Sequence, residues 1–405
     1  MTWYCNRTLQ DRLDSVYRYR QDRSGGTQHV ETAEFRTGLV SWLDDHRAEL
    51  VPPFVGVGTL EEQMAQLSRV KRALFDAGWM RWGWPEAVGG LGGPPMLRAV
   101  LGEEVTARGL VEAGFYSMTE VLAPTLAEFA SPDLAREEIP KLLSGEAMWC
   151  QGFSEPGTGS DLSSLSCRAT PSDGHWVVNG QKLWTSLAQH SSRCVLLTRT
   201  GPPGSAHRGI TAFFVDMDTP GITVRPFALL NGAPEFAEVF FDDVAVPADR
   251  ILGEVNGGWA VAMNILPFER STSFWHRTAF LARRMQQLLD RAPDDAHSAT
   301  VLGETFQQVY AMRARSRLTQ YRLAEQGTIG PETSVDKILV ATAEQQLFDA
   351  VRELLPGVVE LDDSPDGAHW RSEYLYSRAA TIYGGSAEIQ RNIVARRLLE
   401  LGPEA

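Results

Sequence analysis

Several features that mark secreted, membrane-spanning or metal-binding proteins are missing from this 405-residue sequence. Its four cysteines, Cys5, Cys150, Cys167 and Cys194, form no C-x-x-C pair, so we expect reduced thiols in a cytoplasmic protein. No apolar run reaches about 18 residues and the N-terminus has no apolar leader, so neither a membrane span nor secretion is expected. The histidines lack metal-binding spacing, and no G-x-S-x-G motif indicates a serine hydrolase.

An excess of positive charge is also missing, since the formal net charge is −13 at pH 7. Such a surface repels polyanions, so neither nucleic acid nor an anionic membrane is expected as a partner. A local basic pocket for an anionic ligand remains compatible with this balance. The hydrophobic fraction of 43% and the charged fraction of 22% are typical of a globular protein.

The spacing of apolar residues changes twice along the chain and predicts an α+β, mainly α fold. Helical spacing fills the first and last regions, and the short β-rich runs between them predict a small barrel or sandwich. Within these runs, Asn179-Gly180 predicts a hairpin turn. We place an N-terminal extension at 1–30, a helical domain at 31–146, a β-domain at 147–255 and a helical bundle at 256–405. Ligand sites favour the cleft where such domains meet.

Two glycine-containing loops are candidates for ligand binding. In the stretch 379–391, Gly384 and Gly385 precede Ser386, a residue type that caps helices. The helix start suits a phosphate or a polarised carbonyl, although an ordinary loop fits the same residues. The loop 151–161 lacks the third glycine of a dinucleotide-binding motif, so it predicts either a backbone nest for a phosphate or a plain turn.

Glu269 is a candidate catalytic residue, because it follows Pro267 in a helical pattern and stands between Phe268 and Arg270. An apolar setting raises the pKa of a carboxyl group, which suits a general base. The alternative is an exposed helical glutamate that pairs with a neighbouring arginine.

Residues 32–402 resemble the acyl-CoA dehydrogenases, a family of flavin-dependent thioester oxidases. Five blocks carry the resemblance in order: 84–86 with 89–90, 154–161, 179–186, 236–244 and 382–391. The resemblance implies an N-terminal helical domain, a middle β-domain and a C-terminal four-helix bundle, with FAD in the cleft. It implies that a base removes the α-proton of an acyl thioester while hydride leaves Cβ for flavin N5. A backbone N–H, here that of Gly384, would stabilise the thioester oxygen.

The sequence departs from many family members at Gly384, where they carry the catalytic glutamate. Another branch supplies the glutamate from the first helix after the β-domain, directly before an arginine, so the resemblance implies Glu269 as the base. Implied cofactor contacts are Phe153, Ser154, Trp184 and Ser186 at the flavin, Gly159 and Ser160 at the pyrophosphate, and Ser386 and Glu388 at the outer part of FAD. Implied substrate contacts are Arg270, Tyr383 and Arg396. A structural role in the same loop is the alternative for each residue.

Two further family motifs are replaced in this sequence. The stretch 290–297 stands where an Arg-x-x-Phe-Gly motif reaches the FAD of a neighbouring subunit, and 355–359 stands where a Gln-x-x-Gly-Gly motif is usual. The adenine end of FAD and the subunit pairing therefore lack their usual residues.

The resemblance as a whole predicts an acyl-CoA dehydrogenase that acts as a homodimer or homotetramer and passes electrons to an electron-transfer flavoprotein. Two alternatives stay open: a carrier-protein-bound acyl thioester as substrate, or a weakly catalytic partner subunit of a hetero-oligomer. A base supplied from a helix beside a glycine leaves room for branched or bulky acyl groups.

Overall fold

The computed structural model describes residues 27–327 and 329–402, starting with helix α1 (Thr27–Asp45). The chain divides after Ala48 into a first compact unit, of which α1 is the main described part, and a second unit from Glu49 onwards. Most of the predicted extension at 1–30, together with Cys5, lies outside the described residues, and residues 27–30 are the first turn of α1.

Helices dominate the chain before residue 147, as the apolar spacing predicts. They are α2 (Arg47–Leu50), α3 (Leu60–Asp76), α4 (Met96–Ala107), α5 (Ala113–Phe129) and α6 (Pro132–Leu143). A capping box starts α3, because the Thr59 hydroxyl accepts from the Glu62 N–H and the Glu62 carboxylate accepts from the Thr59 N–H. The apolar stripe of α3, which includes Leu67 and Leu74, is buried.

A single mixed sheet of eight strands forms the middle of the chain. Its strands are β1 (Trp149–Gly152), β2 (Arg168–Ser172), β3 (His175–Ser186), β4 (Arg193–Arg199), β5 (Ile210–Asp216), β6 (Ile222–Phe227), β7 (Phe236–Pro247) and β8 (Ile251–Leu252). The strand order is β6-β7-β3-β2-β4-β5-β8, and β1 pairs with β4 in parallel. Alternate residues of these strands, among them Val178, Phe213 and Val239, form the core of this domain.

The predicted hairpin at Asn179-Gly180 is wrong. β3 runs through both residues, and its pairing with β7 shifts register between Val178 and Gly180. Gly180 has φ +145°, and a Cβ there would lie 2.7 Å from the Cα of Cys167. Close approach of two backbones at a bulge therefore requires this glycine, and the pattern of residue types does not distinguish a bulge from a turn. The turn between β2 and β3 lies at Gly174, with φ +72°.

Four long helices form the bundle that ends the chain. They are α7 (Gly258–Leu289), α8 (Ala296–Gln326), α9 (Thr333–Leu354) and α10 (Pro365–Ser377), followed by α11 (Ala387–Ile393) and a π-helical turn (Val394–Leu398). α7 packs against α8 and α9 and also against α4 and α5, so it joins the bundle to the first helices. Among the described helices, none combines the length and the apolarity that crossing a bilayer requires.

Candidate active site

Glu269 of α7 faces Gly384, in the loop between α10 and α11. A Cβ on Gly384 would lie 3.0 Å from the Oε1 atom of Glu269, so the carboxylate borders the space that a side chain at position 384 would need. Gly384 has φ +63°, a conformation that glycine adopts without a steric penalty. The fold therefore places the Glu269 carboxylate beside the backbone of Gly384, the position at which many family members carry a glutamate.

Polar groups on both sides of this contact are unpaired. Neither the Glu269 carboxylate nor the Gly384 N–H has a hydrogen-bond partner within residues 27–327 and 329–402. Glu269 is only half-buried. A carboxylate acceptor and an amide donor are thus available to a ligand at one place, which is what proton abstraction next to a carbonyl group requires.

Three side chains hold the loop that carries Gly384. Arg270 Nε donates to the Gly384 carbonyl over 3.2 Å, and Gln390 Nε2 donates to the same oxygen over 3.4 Å. Lys337 Nζ donates to the Ala380 carbonyl over 2.6 Å. The loop is fixed from α7, α9 and α11 at once, so the N–H of Gly384 keeps its position relative to Glu269.

Lys337 is a site residue that the sequence analysis missed. Its side chain is buried, and its Nζ atom lies 3.9 Å from the centroid of the Tyr383 ring. Burial lowers its pKa to about 8, and the charges of Glu344 and Glu269 oppose this shift. The sequence pattern that could have indicated it is a lysine on the same helical stripe as the apolar residues Val340 and Leu347 of α9.

A buried ion pair joins the loop 151–161 to β3. Lys182 Nζ lies 2.8 Å from Glu155 Oε1 and donates to the Phe153 carbonyl over 3.0 Å. Glu155 also accepts from the Ser166 N–H and hydroxyl, each over 2.7 Å. Burial tends to raise the pKa of Glu155, but Lys182 and Ser166 hold it below its usual value. The buried ion pair between Glu155 and Lys182 thus connects two separate sequence blocks, 154–161 and 179–186.

Trp184 presents an aromatic face to solvent beside this anchor. The β3–β7 pairing shifts register between Lys182 and Thr185, and Trp184 has φ +60° at the shift, with a side chain that is 54% exposed. Its ring makes edge contacts with Phe227 and Phe236. Such an exposed, edge-supported indole suits stacking against a flat ligand.

The same region offers unpaired hydroxyls and open backbone. The Oγ1 atoms of Thr158 and Thr185 are buried without a hydrogen-bond partner within the described ranges. A Cβ on Gly157 or Gly159 would meet nothing within 4 Å, so a ligand could approach this backbone closely. These observations fit a flat, polar cofactor with a phosphate-containing tail.

The other predicted site residues lie in different settings. Phe153 is buried, Ser154 and Ser186 are half-buried, and Gly159 and Ser160 are exposed. Ser386 caps α11, because its hydroxyl accepts from the Ile389 N–H over 3.4 Å, and Glu388 is exposed near Arg391. Arg396 is exposed on the π-helical turn and forms no hydrogen bond or ion pair with Glu269 or Trp184 in the part described.

The residues that replace the two family motifs have roles in the fold. Asp295 caps α8 by accepting from the Ser298 N–H over 2.8 Å. Val358 and Val359 are buried in the core of the bundle. Capping and packing therefore account for these two stretches.

Comparison with known proteins identifies the family of this chain. Residues 48–146, 150–244 and 256–399 match the N-terminal, middle and C-terminal domains of acyl-CoA dehydrogenase. The acyl-CoA dehydrogenase IpdE1 of Mycobacterium tuberculosis (strain ATCC 25618 / H37Rv) is 36% identical over 392 residues, which cover 93% of this chain and 99% of that protein.

Solved structures share the fold along nearly the whole chain. The Tcur3481-Tcur3483 steroid ACAD superimposes with a TM-score of 0.78 at 24% identity, covering 94% of this chain and 99% of that chain. The ChsE4-ChsE5 complex from Mycobacterium tuberculosis gives a TM-score of 0.74 at 25% identity, with coverage of 94% and 99%. The chain therefore belongs to the acyl-CoA dehydrogenase family and is an FAD-dependent oxidoreductase that dehydrogenates acyl-CoA.

Proposed function

We propose that the enzyme oxidises the Cα–Cβ bond of its acyl-CoA to the trans-2-enoyl thioester with Glu269 as the catalytic base. The observation that carries the proposal is the 3.0 Å separation between Glu269 Oε1 and the position of a Cβ on Gly384. A loop-borne glutamate at position 384 would reach the same space from the other side. The carboxylate of Glu269 supplies what Gly384 lacks.

The proton chemistry involves Glu269 and Gly384 together. Glu269 takes the proton from Cα, and the Gly384 N–H donates to the thioester oxygen, on which negative charge develops. FAD, when bound, would supply the acceptor for the hydride from Cβ, so that the thioester would lose two protons and two electrons in total. The cationic side chains of Arg270 and Lys337 lie near the Glu269 carboxylate, whose charge opposes the lowering of their own pKa values by burial.

We assign the cofactor to the face around Trp184. Trp184 would cover one side of the flavin, Phe153 and Ser154 would contact the ring edge through backbone and hydroxyl, and Ser186 would donate towards N5 and O4. Gly159 and Ser160 would lie along the pyrophosphate, where open backbone supports close approach. Ser386 and Glu388 would hold the outer part of FAD, although the Ser386 hydroxyl already caps α11.

For the thioester end, Tyr383 and Arg270 are the supported contacts. Tyr383 lines a cavity next to Gly384, and Arg270 is bound to the Gly384 carbonyl. Arg396, exposed and positively charged, would contact the CoA moiety at the surface. Its guanidinium would recognise a phosphate group through charge and a bidentate pair of hydrogen bonds.

An electron-transfer flavoprotein is the proposed electron acceptor, and the proposed assembly is a homodimer or homotetramer. Exposed apolar side chains near the end of the chain support an assembly: Ile382, Leu399 and Leu401 are each at least 60% exposed. The solved ChsE4-ChsE5 complex raises the alternative of a hetero-oligomer. Light scattering of the purified chain would give two or four times 44.7 kDa under the first proposal.

The base assignment is tested by Glu269→Gln. We expect the variant to retain FAD but to lose anaerobic bleaching of the flavin by substrate, with a rate reduced by at least about 10³-fold. Glu304→Gln, an exposed glutamate on α8, is the matched control and keeps the wild-type rate. Bleaching of Glu269→Gln at the wild-type rate would overturn the assignment. Loss of FAD from the purified wild type would instead favour the partner-subunit alternative.

A further inference from the structure

Two cavities lie next to each other, and the first of them adjoins the candidate site. The first has a volume of about 130 Å³ and is lined by Tyr383, the residue before Gly384. The second, of about 150 Å³, shares Gln63, Glu112 and His369 with the first and reaches Arg283. Each has roughly the volume of an engineered protein cavity, about 150 Å³, that binds one benzene.

The position of the first cavity relative to Glu269 follows from helix geometry. Ser273 and Arg277 line it and follow Glu269 on α7 by one and two turns. A rise of about 1.5 Å per residue places Arg277 about 12 Å along the helix axis from the base. A ligand whose α-carbon lies at Glu269 and whose chain follows α7 would therefore have its remote part at these cavities.

Two carboxyl groups line the first cavity, near Arg277, whose charge acts to lower the pKa of both. Glu112 and Glu235 form no side-chain hydrogen bond within the described ranges. Burial raises the pKa of Glu235 to about 7, and Glu373 adds to the shift. Burial and Glu373 likewise raise the pKa of Glu112. Near neutral pH the Glu235 carboxyl group is therefore suited to donate as well as accept hydrogen bonds.

The cationic groups of the cavities are of two kinds. Arg277 is already paired, with Nη2 2.8 Å from Glu344 Oε1 and 2.8 Å from Glu373 Oε2. Arg283, which lines the second cavity, has a buried Nε atom with no hydrogen-bond partner in the described chain. His369 is neutral, because burial and neighbouring arginines lower its pKa to about 3. The walls thus offer an unpaired donor and two unpaired carboxyl groups, but no cluster of free positive charge.

These walls discriminate between classes of acyl group. A plain alkyl tail would leave Glu112, Glu235 and the Arg283 Nε without partners in a dehydrated cavity, which is costly. A terminal charge of either sign would meet like as well as opposite charge in these walls, because a carboxylate would lie near Glu373 and an ammonium would lie near Arg277 and Arg283. Hydroxyl and keto oxygens satisfy both kinds of wall group without adding charge.

We propose that the two cavities form the distal acyl subsite and select acyl-CoA thioesters that carry uncharged oxygen groups, hydroxyl or keto, remote from the thioester. The proposal rests on the function proposed above, since it places the α-carbon at Glu269. Glu112 and Glu235 are its specificity-determining residues, and Arg283 is the donor to an acceptor oxygen in the second cavity.

The test compares acyl-CoAs of equal length on the FAD-loaded enzyme: dodecanoyl-CoA, its ω-hydroxy and (ω−1)-oxo derivatives, dodecanedioyl-CoA and ω-aminododecanoyl-CoA. We expect kcat/KM for the hydroxy and oxo compounds to exceed that for dodecanoyl-CoA by at least about tenfold, since a site that hydrogen-bonds an oxygen rejects analogues without it. Equal values, or a preference for the carboxylate or the ammonium compound, would overturn the proposal.

Variants connect the preference to the named residues. Glu235→Leu and Glu112→Leu should each reduce the ratio of oxygenated to plain substrate to within about threefold. Glu238→Gln on β7, whose carboxylate accepts from Gln181 outside the cavities, is the control and should keep the ratio. A wild-type ratio in both leucine variants would overturn the role of the carboxyl groups.

Binding to Glu269→Gln separates this proposal from the base assignment. Calorimetry with the same compounds measures the subsite without turnover, and we expect the same tenfold preference in Kd. Preference in binding with no oxidation by the wild type would sustain the subsite and refute the dehydrogenation scheme. Oxidation of all compounds with equal binding would sustain the scheme and refute the subsite.

Discussion

Glu269 Oε1 lies 3.0 Å from the point where a Cβ would stand on Gly384, two positions that are distant in the sequence. The carboxylate has no hydrogen-bond partner in the part of the chain described, and the nearby Lys337 holds the opposing loop by its contact with the Ala380 carbonyl. The proposed base and the amide that would assist it are therefore positioned by separate elements, α7 and the loop before α11.

Gly384→Ala should damage catalysis more than folding. The methyl group would crowd Glu269 Oε1 and meet Lys337 Cε at 3.6 Å, and the positive φ would add about 1–2 kcal/mol of strain. Displacement of a reacting group by about 1 Å costs about 10²-fold in rate, so flavin reduction by substrate should slow by that factor. Stopped-flow absorbance under anaerobic conditions measures this rate.

Gly174→Ala is the matched control for that variant. Its φ of +72° is similar, but a Cβ there would meet nothing within 4 Å. It should lose a similar amount of stability and keep its rate of flavin reduction. Equal rates in the two alanine variants would show that Gly384 provides only backbone conformation.

Lys182→Met should strongly destabilise the β-domain. Lys182 is fully buried and the Glu155 side chain is 4% exposed, so removal of the ammonium leaves a buried carboxylate without its counterion. We expect a loss of about 3–5 kcal/mol in the free energy of unfolding, measured by urea denaturation. The pair Arg136–Asp133 is exposed, and Arg136→Met should cost less than about 1 kcal/mol. Similar losses in the two variants would refute the buried-pair interpretation.

Stability should rise with pH above neutrality because of Lys71. Burial lowers the pKa of this lysine to about 7, although Glu120 opposes the shift. Its folded-state pKa lies below the unfolded value near 10.5, so the unfolded chain binds the extra proton between these values. The stability gained from neutral Lys71 is fully present above pH 10.5 and is lost as the pH falls through 7. Between these values the free energy of unfolding changes by about 1.4 kcal/mol per pH unit.

Urea denaturation at several pH values from 7 to 9 measures this slope. Lys71→Met should lower the slope of the free energy of unfolding against pH by the amount that one proton contributes. The pH dependence that the lowered pKa of Lys337 causes remains in both proteins. Parallel pH curves for the wild type and Lys71→Met would contradict the assignment.

Trp184→Ala should weaken FAD binding without unfolding the protein. Because its ring is exposed, truncation should change the free energy of unfolding by only about 0.5 kcal/mol. Loss of an aromatic contact of about 1 kcal/mol should raise the Kd of the apoprotein for FAD about fivefold, measured by titration of flavin fluorescence. Trp82→Ala removes another partly exposed indole and should leave the Kd unchanged. Equal Kd values for Trp184→Ala and the wild type would exclude stacking on the flavin.

The sequence by itself determined the order of helical, β and helical regions, because apolar periodicity records which faces are buried. It also singled out Glu269, since the resemblance indicates where a glutamate can replace the one missing at Gly384. Local chemistry was sufficient for Ser386, whose residue type and place before a helical run predicted the cap that the structure contains.

Only the tertiary structure decided the features that depend on close approach between distant segments. Asn179-Gly180 has the composition of a turn, yet the nearby backbone of Cys167 makes it a bulge within β3. Lys337 is one charge on a helix until the fold buries it against Tyr383. The sequence shows that position 384 lacks a carboxylate, but only the packing of α7 against the loop places the Glu269 carboxylate beside Gly384.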